Sequence, residues 1–446
     1  MSTSRSFPNP TRRQFLYQIG QMVGATLLSG CAAVKIDHVP QDSTPASAIV
    51  KEALKEAVKE VNAPPLPGPI TPQLGSQSIT LEQQIGQMIM TGFDGAYLNE
   101  KSPIIQDIHN QRIGGVALFG RNVESVPQLQ TLTSMLQQAA PNPLLISVDQ
   151  EGGRVRRIGS TFGISYNYSA AQLGALDDLQ ATADYANEMA KVLSNLGINL
   201  NLAPVVDVNV NPHNPVIGSQ QRSFSSDPET VANHALTFIQ AHHREGILCT
   251  IKHFPGHGSS AADSHVGFVD VTTTWTADEL TPFERIIDAK SCDAVMTAHI
   301  FNANLDEENP ATLSKTIITG LLRQRMGYDG VIMTDDIQMG AIRRFYDYET
   351  AISLAVQAGV DIFTFSRYSP AIVTRIISTI RKLVSNRQLT EERIYQSYKR
   401  IIQLKSQLNV RRSPATPAQT TEPTRDQNPP PAQDIDYLRG LEQFLF

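Results

Sequence analysis

Cysteine is almost absent from this 446-residue chain: Cys31, Cys249 and Cys292 are the only three, too few for a disulfide framework. Cys249 and Cys292 lie in or beside apolar runs, so inert, buried thiols are expected there. Positive charge is not in excess. Lys and Arg total 37 against 43 Asp and Glu, a net −6, which removes the electrostatic reason to expect nucleic acid as a partner. No fixed-period repeat is visible, which sets aside solenoids and propellers. What remains is ordinary globular composition, 41% hydrophobic and 18% charged, with ample length for a large core.

The N-terminus reads as a targeting segment rather than part of the fold. Thr11-Arg12-Arg13-Gln14-Phe15-Leu16 resembles a twin-arginine export motif. The apolar stretch that follows, Ile19 to Leu28, is short for a bilayer span. It ends in Leu28-Ser29-Gly30-Cys31, which resembles a bacterial lipobox whose cysteine is acylated and becomes the mature N-terminus. Residues 1–31 are therefore expected to be an export signal. Residues 32–80 form a linker with a short amphipathic helix, Ile49 to Val61, and a stiff spacer at Pro64, Pro65, Pro67, Pro69 and Pro72. Residues 411–446 are a Pro/Thr-rich tail with a short terminal helix. The expected product is an exported lipoprotein held to a membrane, periplasmic or at the cell surface, and monomeric.

Residues 81–410 alternate apolar, strand-like runs with helical patterns. The runs are Met88–Gly92, Gly115–Phe119, Leu144–Val148, Ile198–Ala203, Ile247–Ile251, Ala294–Ala298, Gly330–Thr334 and Val360–Phe365. Eight such runs with helices between them predict an α/β fold, a single (β/α)8 TIM-type barrel, with a doubly wound open sheet as the alternative. In a barrel of this kind the loops after the strands build the site. Polar groups do follow the strands: Asp149, Asp207, Lys252-His253, His299 and Asp335-Asp336. Neighbouring side chains on a strand face opposite ways, so only one of Asp335 and Asp336 is expected to act. Asp263 and His265, one residue apart, come to the same side of an extended loop and can pair. The Gly/Ser/Ala-rich loop from Gly256 predicts a mobile segment that brings His265 in with substrate.

The ordered motifs carry a resemblance. Lys252-His253-Phe254-Pro255-Gly256-His257-Gly258 with Asp263-Ser264-His265 is similar to the β-N-acetylhexosaminidase branch of glycoside hydrolase family 3. Val148-Asp149-Gln150-Glu151-Gly152-Gly153, Asn201-Leu202-Ala203-Pro204-Val205-Val206-Asp207 and Thr334-Asp335-Asp336 resemble the same branch. The resemblance implies a retaining glycosidase acting on terminal β-linked N-acetylglucosamine, in peptidoglycan fragments or chitooligosaccharides. It implies Asp335 as nucleophile, His265 as acid/base and Asp263 as its partner, with Asp149, Arg157, Arg222, Lys252 and His253 on the sugar. It implies no cofactor and no metal ion. Asp336 reads as a cap or supporting group, and His257 as a brace for its loop. Two departures stand out: Ser259-Ser260 where the family has Asp-Thr, and three residues, Ser219 to Gln221, where it has one.

Other readings are a family 3 β-glucosidase, usually marked by Ser-Asp-Trp at the nucleophile, and a phosphorolytic variant, because a histidine acid/base does not repel an anion. Outside the family stand a non-catalytic sugar-binding lipoprotein and a metal-dependent barrel hydrolase using His253, His257, His265 and His299. Pro255-Gly256 between His253 and His257 keeps that pair off a shared helix face. For the anchor, Cys31→Ser should move the protein out of the carbonate-washed membrane fraction, and Arg12→Lys with Arg13→Lys should block export. A Cys31→Ser protein that stays in the washed membranes would remove the lipid anchor.

Overall fold

The computed structural model describes residues 79–408, all within one compact unit. The export signal with Cys31, the linker helix, the Pro-rich spacer and the tail lie outside the described residues. Eight parallel strands close on themselves in sequential order, β8 pairing back on β1. They are β1 Ile89–Thr91, β2 Gly115–Leu118, β3 Leu145–Val148, β4 Leu200–Asn201, β5 Leu248–Phe254, β6 Ala294–Thr297, β7 Val331–Asp336 and β8 Ile362–Phe365. Helices wrap the outside, so both faces of each strand are covered. That explains why most strands read as unbroken apolar runs rather than alternating ones. The chain is a (β/α)8 barrel.

The strand ends differ from expectation in three places. β4 is only two residues long, since Ala203-Pro204 follows closely and proline has no N–H for a ladder. β5 runs on to Phe254, so Lys252 and His253 stand in the strand and not in the loop behind it. β7 likewise carries Asp335 and Asp336 within it, and its pairing with β8 shifts register between Met333 and Asp336.

Local chemistry sets the helix starts. Thr80 with Gln83, Ser125 with Gln128 and Ser169 with Gln172 form reciprocal capping boxes. Pro228 and Pro370 occupy first-turn positions, where a missing N–H costs nothing. Helix Pro228–Arg244 buries Val231, Ala235, Phe238 and Ile239 along one stripe. Cys249 is buried and Cys292 half-buried, and burial pushes both thiols up, so they stay protonated and unreactive at neutral pH. Among the described residues no helix is long and apolar enough to cross a membrane.

The base of the barrel is stitched by charge. Asp361, at the start of β8, is completely buried. Its carboxylate accepts from the Ile332 N–H at 3.0 Å, from Ser397 Oγ and from the Arg323 guanidinium, with Arg400 at 3.5 Å and Arg393 at 3.8 Å. Lys405, on the last helix Glu391–Ser406, donates to Gln87 Oε1 and the Gly114 carbonyl, both at 2.7 Å, and so ties that helix to the opening helix Leu81–Gln87 and to the approach to β2. Removing one partner of a buried charged cluster strands the others, at a cost of about 3–5 kcal/mol. Asp361→Ala should therefore lower the urea midpoint by that much stability with an unchanged denaturant slope. A loss near that of a surface substitution would show that the cluster does not hold the base.

Candidate active site

The cleft lies where the carboxyl ends of the strands converge. Phe119 borders it from just after β2, Asp149 and Glu151 from the loop after β3, Lys252 and His253 from β5, Asp335 and Asp336 from β7, and Ser366 from beyond β8. Arg157, Arg222, His257, Ser264 and His265 come in on loops. Its volume, about 740 Å³ including the open mouth, suits a small-molecule ligand. Seven of the eight residues expected at the site line it: Asp149, Arg157, Arg222, Lys252, His253, His265 and Asp335. Asp263, the eighth, stands behind His265.

One side of the cleft is a buried ionic lattice. Lys252 Nζ lies 2.7 Å from Asp149 Oδ1 and 2.7 Å from Glu151 Oε1. Arg222 grips the same Glu151 with a fork, Nε to Oε2 at 2.8 Å and Nη2 to Oε1 at 2.7 Å. Arg157 approaches Asp149 at 3.8 Å. Burial acts to raise the Glu151 carboxyl, but Arg222 and Lys252 overcome it and hold the group far below the carboxylate range. Beside this lattice, His253 Nδ1 pairs with Asp207 Oδ2 at 2.7 Å, while Asp207 Oδ1 accepts from the backbone N–H groups of His253 at 3.1 Å and His257 at 2.8 Å. The His253 ring therefore presents Nε2 toward Arg222, at 3.5 Å.

Glu151 and Asp207 were both visible in the motifs but received no role. Each acts by holding a cation or imidazole that does face the cleft. A buried Arg222 and Lys252 demand carboxylate partners, and that demand is the signal that points to Glu151. The three residues Ser219 to Gln221 fold into a tight turn: Gln221 N–H donates to the Gly218 carbonyl at 2.9 Å, and Gln221 adopts a left-handed backbone, φ 59°. Arg222 thereby reaches the cleft despite the longer segment.

On the other side stand Asp335 and the pair Asp263–His265. Burial alone would raise the Asp335 carboxyl, but the imidazoles of His299, His253 and His265 outweigh it and bring it down to about 2. Asp336 behaves oppositely: burial, with Asp335 as a like charge beside it, raises it to about 6 against its hydrogen bonds from Ser366 and Gln338. Asp336 Oδ1 accepts from the Gln338 N–H at 2.9 Å, and its carbonyl is engaged by His299 Nε2 at 2.9 Å. Both side chains border the cleft, since the shifted register around β7 relaxes strict alternation. Charge state, rather than facing alone, separates them. His265 Nδ1 meets Asp263 Oδ1 at 2.7 Å, leaving Nε2 as the ring nitrogen available to the cleft.

The loop from Gly256 makes backbone contacts with the segment after β7. Gly340 N–H donates to the His265 carbonyl at 3.2 Å and Ala341 N–H to the Ser264 carbonyl at 3.1 Å. Gly340 has to be glycine here, because a Cβ would stand 2.7 Å from the His265 oxygen. His257 links the loop internally, Nδ1 to Ser260 Oγ at 2.8 Å and Nε2 to Ser264 Oγ at 3.1 Å. His265 lines the cleft. Among the described residues no group of three or more His, Cys, Asp or Glu is arranged to hold a metal ion.

A closed parallel barrel with polar residues gathered at its carboxyl end defines a class of barrel enzymes. The comparisons narrow it. The family described as glycosyl hydrolase family 3 N terminal domain matches residues 80–404, and the chain belongs to it. It is 35% identical over 372 residues to Beta-hexosaminidase A of Pseudoalteromonas piscicida, covering 74% of this chain and 62% of that protein. It is 37% identical over 308 residues to a Beta-hexosaminidase of Xylella fastidiosa (strain M23), covering 67% and 88%. The chain thus spans less than two thirds of the first relative and most of the second. Among solved structures, a glycoside hydrolase family 3 beta-N-acetylglucosaminidase from Paenibacillus sp. str. FPU-7 is similar, with TM-score 0.72, 34% identity, and coverage of 81% of this chain and 68% of that one.

The two aspartates give opposite pH signatures in stability. A carboxyl raised in the folded state binds more protons there than when unfolded, so its contribution falls as pH rises from its ordinary 3.8 to about 6. A depressed one loses its contribution as pH falls from 3.8 to about 2. Relative to the parent, Asp336→Asn should therefore gain Tm as pH climbs through the first window. Asp335→Asn should catch up with the parent only as pH drops through the second. Parallel Tm curves for both variants would overturn the charge assignment.

Proposed function

We propose that the chain is a retaining β-N-acetylhexosaminidase that removes terminal β-linked N-acetylglucosamine from peptidoglycan fragments or chitooligosaccharides. The observation that carries this reading is one cleft holding both an ionised carboxylate, Asp335, and a carboxylate-held imidazole, His265. Those are the two groups that double displacement at a glycosidic carbon requires. The hexosaminidase relatives support the sugar.

In the first step Asp335 attacks the anomeric carbon and its oxygen becomes an ester to the sugar. His265 Nε2–H gives its proton to the departing glycosidic oxygen. In the second step the same nitrogen takes a proton from water, the hydroxide portion attacks the anomeric carbon, and the Asp335 ester bond breaks. Asp263 holds Nδ1 in both steps, keeping the ring in one orientation and leaving Nε2 to carry the proton. Asp149, Arg157, Arg222, Lys252 and His253 offer paired donors and acceptors to adjacent hydroxyls. Their mutual ion pairs keep them in place before the sugar arrives, so binding does not have to order them. For location we propose the lipid-anchored, exported form that Cys31 suggests.

A 5-fluoro donor of N-acetylglucosamine should trap a sugar ester on Asp335, read by mass spectrometry of the labelled peptide. Label on Asp336 would displace the nucleophile, and product of inverted configuration would displace the mechanism. His265→Ala should lower turnover of unactivated glycosides by roughly 10²–10⁴-fold. Dinitrophenyl donors should instead show a burst followed by slow turnover that azide accelerates. Equal loss on both donors, without azide rescue, would deny His265 the acid/base role.

A further inference from the structure

We propose that Glu279 is the positioning residue for the loop that carries Asp263 and His265, a role that rests on the acid/base reading above. Glu279 lies on a single-turn helix, Ala277–Leu280, beyond the loop, and is completely buried. Its Oε2 accepts two successive backbone N–H groups of the loop, Gly258 at 3.0 Å and Ser259 at 3.3 Å. Gly256 makes the approach possible: its φ is +116°, and a Cβ there would sit 2.6 Å from Glu279 Cβ and 3.0 Å from Oε2. Trp275 from the same segment donates Nε1–H to the Pro255 carbonyl at 3.0 Å, so the loop is fastened on both sides of Gly256.

From Glu279 the hydrogen bonds run on to the reacting groups. The amides it holds follow directly on His257, whose own N–H is taken by Asp207 and whose Nε2 meets Ser264 Oγ. Ser264 sits between Asp263 and His265. A carboxyl at the root of this chain fixes where the imidazole stands without touching substrate.

Two buried atoms at this point, Glu279 Oε1 and Ser259 Oγ, have no hydrogen-bond partner among the described residues, and their residues are already joined through the Ser259 N–H. Burial, with Asp207 nearby, raises the Glu279 carboxyl to about 7 against the N–H bond it accepts from Ser259. A neutral carboxyl there can donate to Ser259 Oγ while still accepting the two amides. Glutamine has the same capacity, and alanine has none of it. None of these atoms belongs to the nucleophile or to the ionic lattice around Lys252. Loss of Glu279 should therefore register in proton transfer before it registers in sugar binding.

The test compares Glu279→Ala, Glu279→Gln, Glu279→Asp and His265→Ala in the full chain, on an unactivated chitobiose donor and on dinitrophenyl N-acetylglucosaminide. Glu279→Ala should lower kcat on chitobiose by up to about 10²-fold, the loss expected of an ångström-scale misplacement. KM should move little, the activated donor should lose far less, and azide should speed its turnover. Glu279→Gln should stay close to the parent on both donors. Should Glu279→Ala fail to fold, Glu279→Asp, one methylene shorter, should show the same donor dependence in milder form. Equal losses on both donors, a change confined to Tm, or a glutamine variant as impaired as the alanine one would each overturn the positioning role. His265→Ala separates the two claims. If it lacks donor dependence, the acid/base reading falls. If it shows that dependence and the Glu279 variants do not, only the positioning role falls.

Discussion

The burial of opposite charges at the carboxyl end of the barrel is the constraint on which the rest of the site depends. A lone Lys252 or Arg222 in that position would be too costly to bury, and so would a lone Glu151. Together they neutralise one another across distances near 2.7 Å. The consequence is rigidity, because no member can turn away without leaving another unpaired. A ligand entering the cleft meets donors and acceptors whose directions are already set. The stability spent on this arrangement is recovered as preorganisation.

The same logic gives two adjacent aspartates different chemistry. Asp335 and Asp336 share a strand and a cleft, yet three imidazoles act on the first, while burial and the neighbouring Asp335 charge outweigh the hydrogen bonds to the second. One is held as the ionised carboxylate, and the other takes up a proton at a higher pH than an ordinary aspartate. Pairs of titratable groups whose surroundings push them apart are the usual sign of divided roles. The pairing of His253 with Asp207 works alongside this, since it fixes which ring nitrogen remains toward the cleft.

The barrel was legible because each strand is covered on both faces and so writes itself as an apolar run. Its strand ends were less so. Lys252, His253, Asp335 and Asp336 are polar, and polarity reads as loop, but here the strands continue into the mouth. The ordered motifs, through the resemblance they carry, pointed to seven of the residues that line the cleft. They did not point to Glu151, Asp207 or Glu279 as partners, because each contact joins residues far apart in the chain. Lys252 and Asp149 are separated by 103 positions, and Arg222 and Glu151 by 71. Nor did composition reveal the loop's packing. Glycine and serine here permit close approach: Gly256 under Glu279, and Ser260 and Ser264 onto His257.

The stitching of the last helix onto the opening helix and the approach to β2 has a topological consequence. Lys405 reaches Gln87 and Gly114 at the amino end of the barrel, so the start and finish of the described chain meet on the face away from the cleft. Any traction exerted through either end is borne by that base and not by the mouth. The two ends could be spliced together and the circle reopened elsewhere without redrawing the catalytic face. The barrel is, in this sense, a ring whose seam lies opposite its working side.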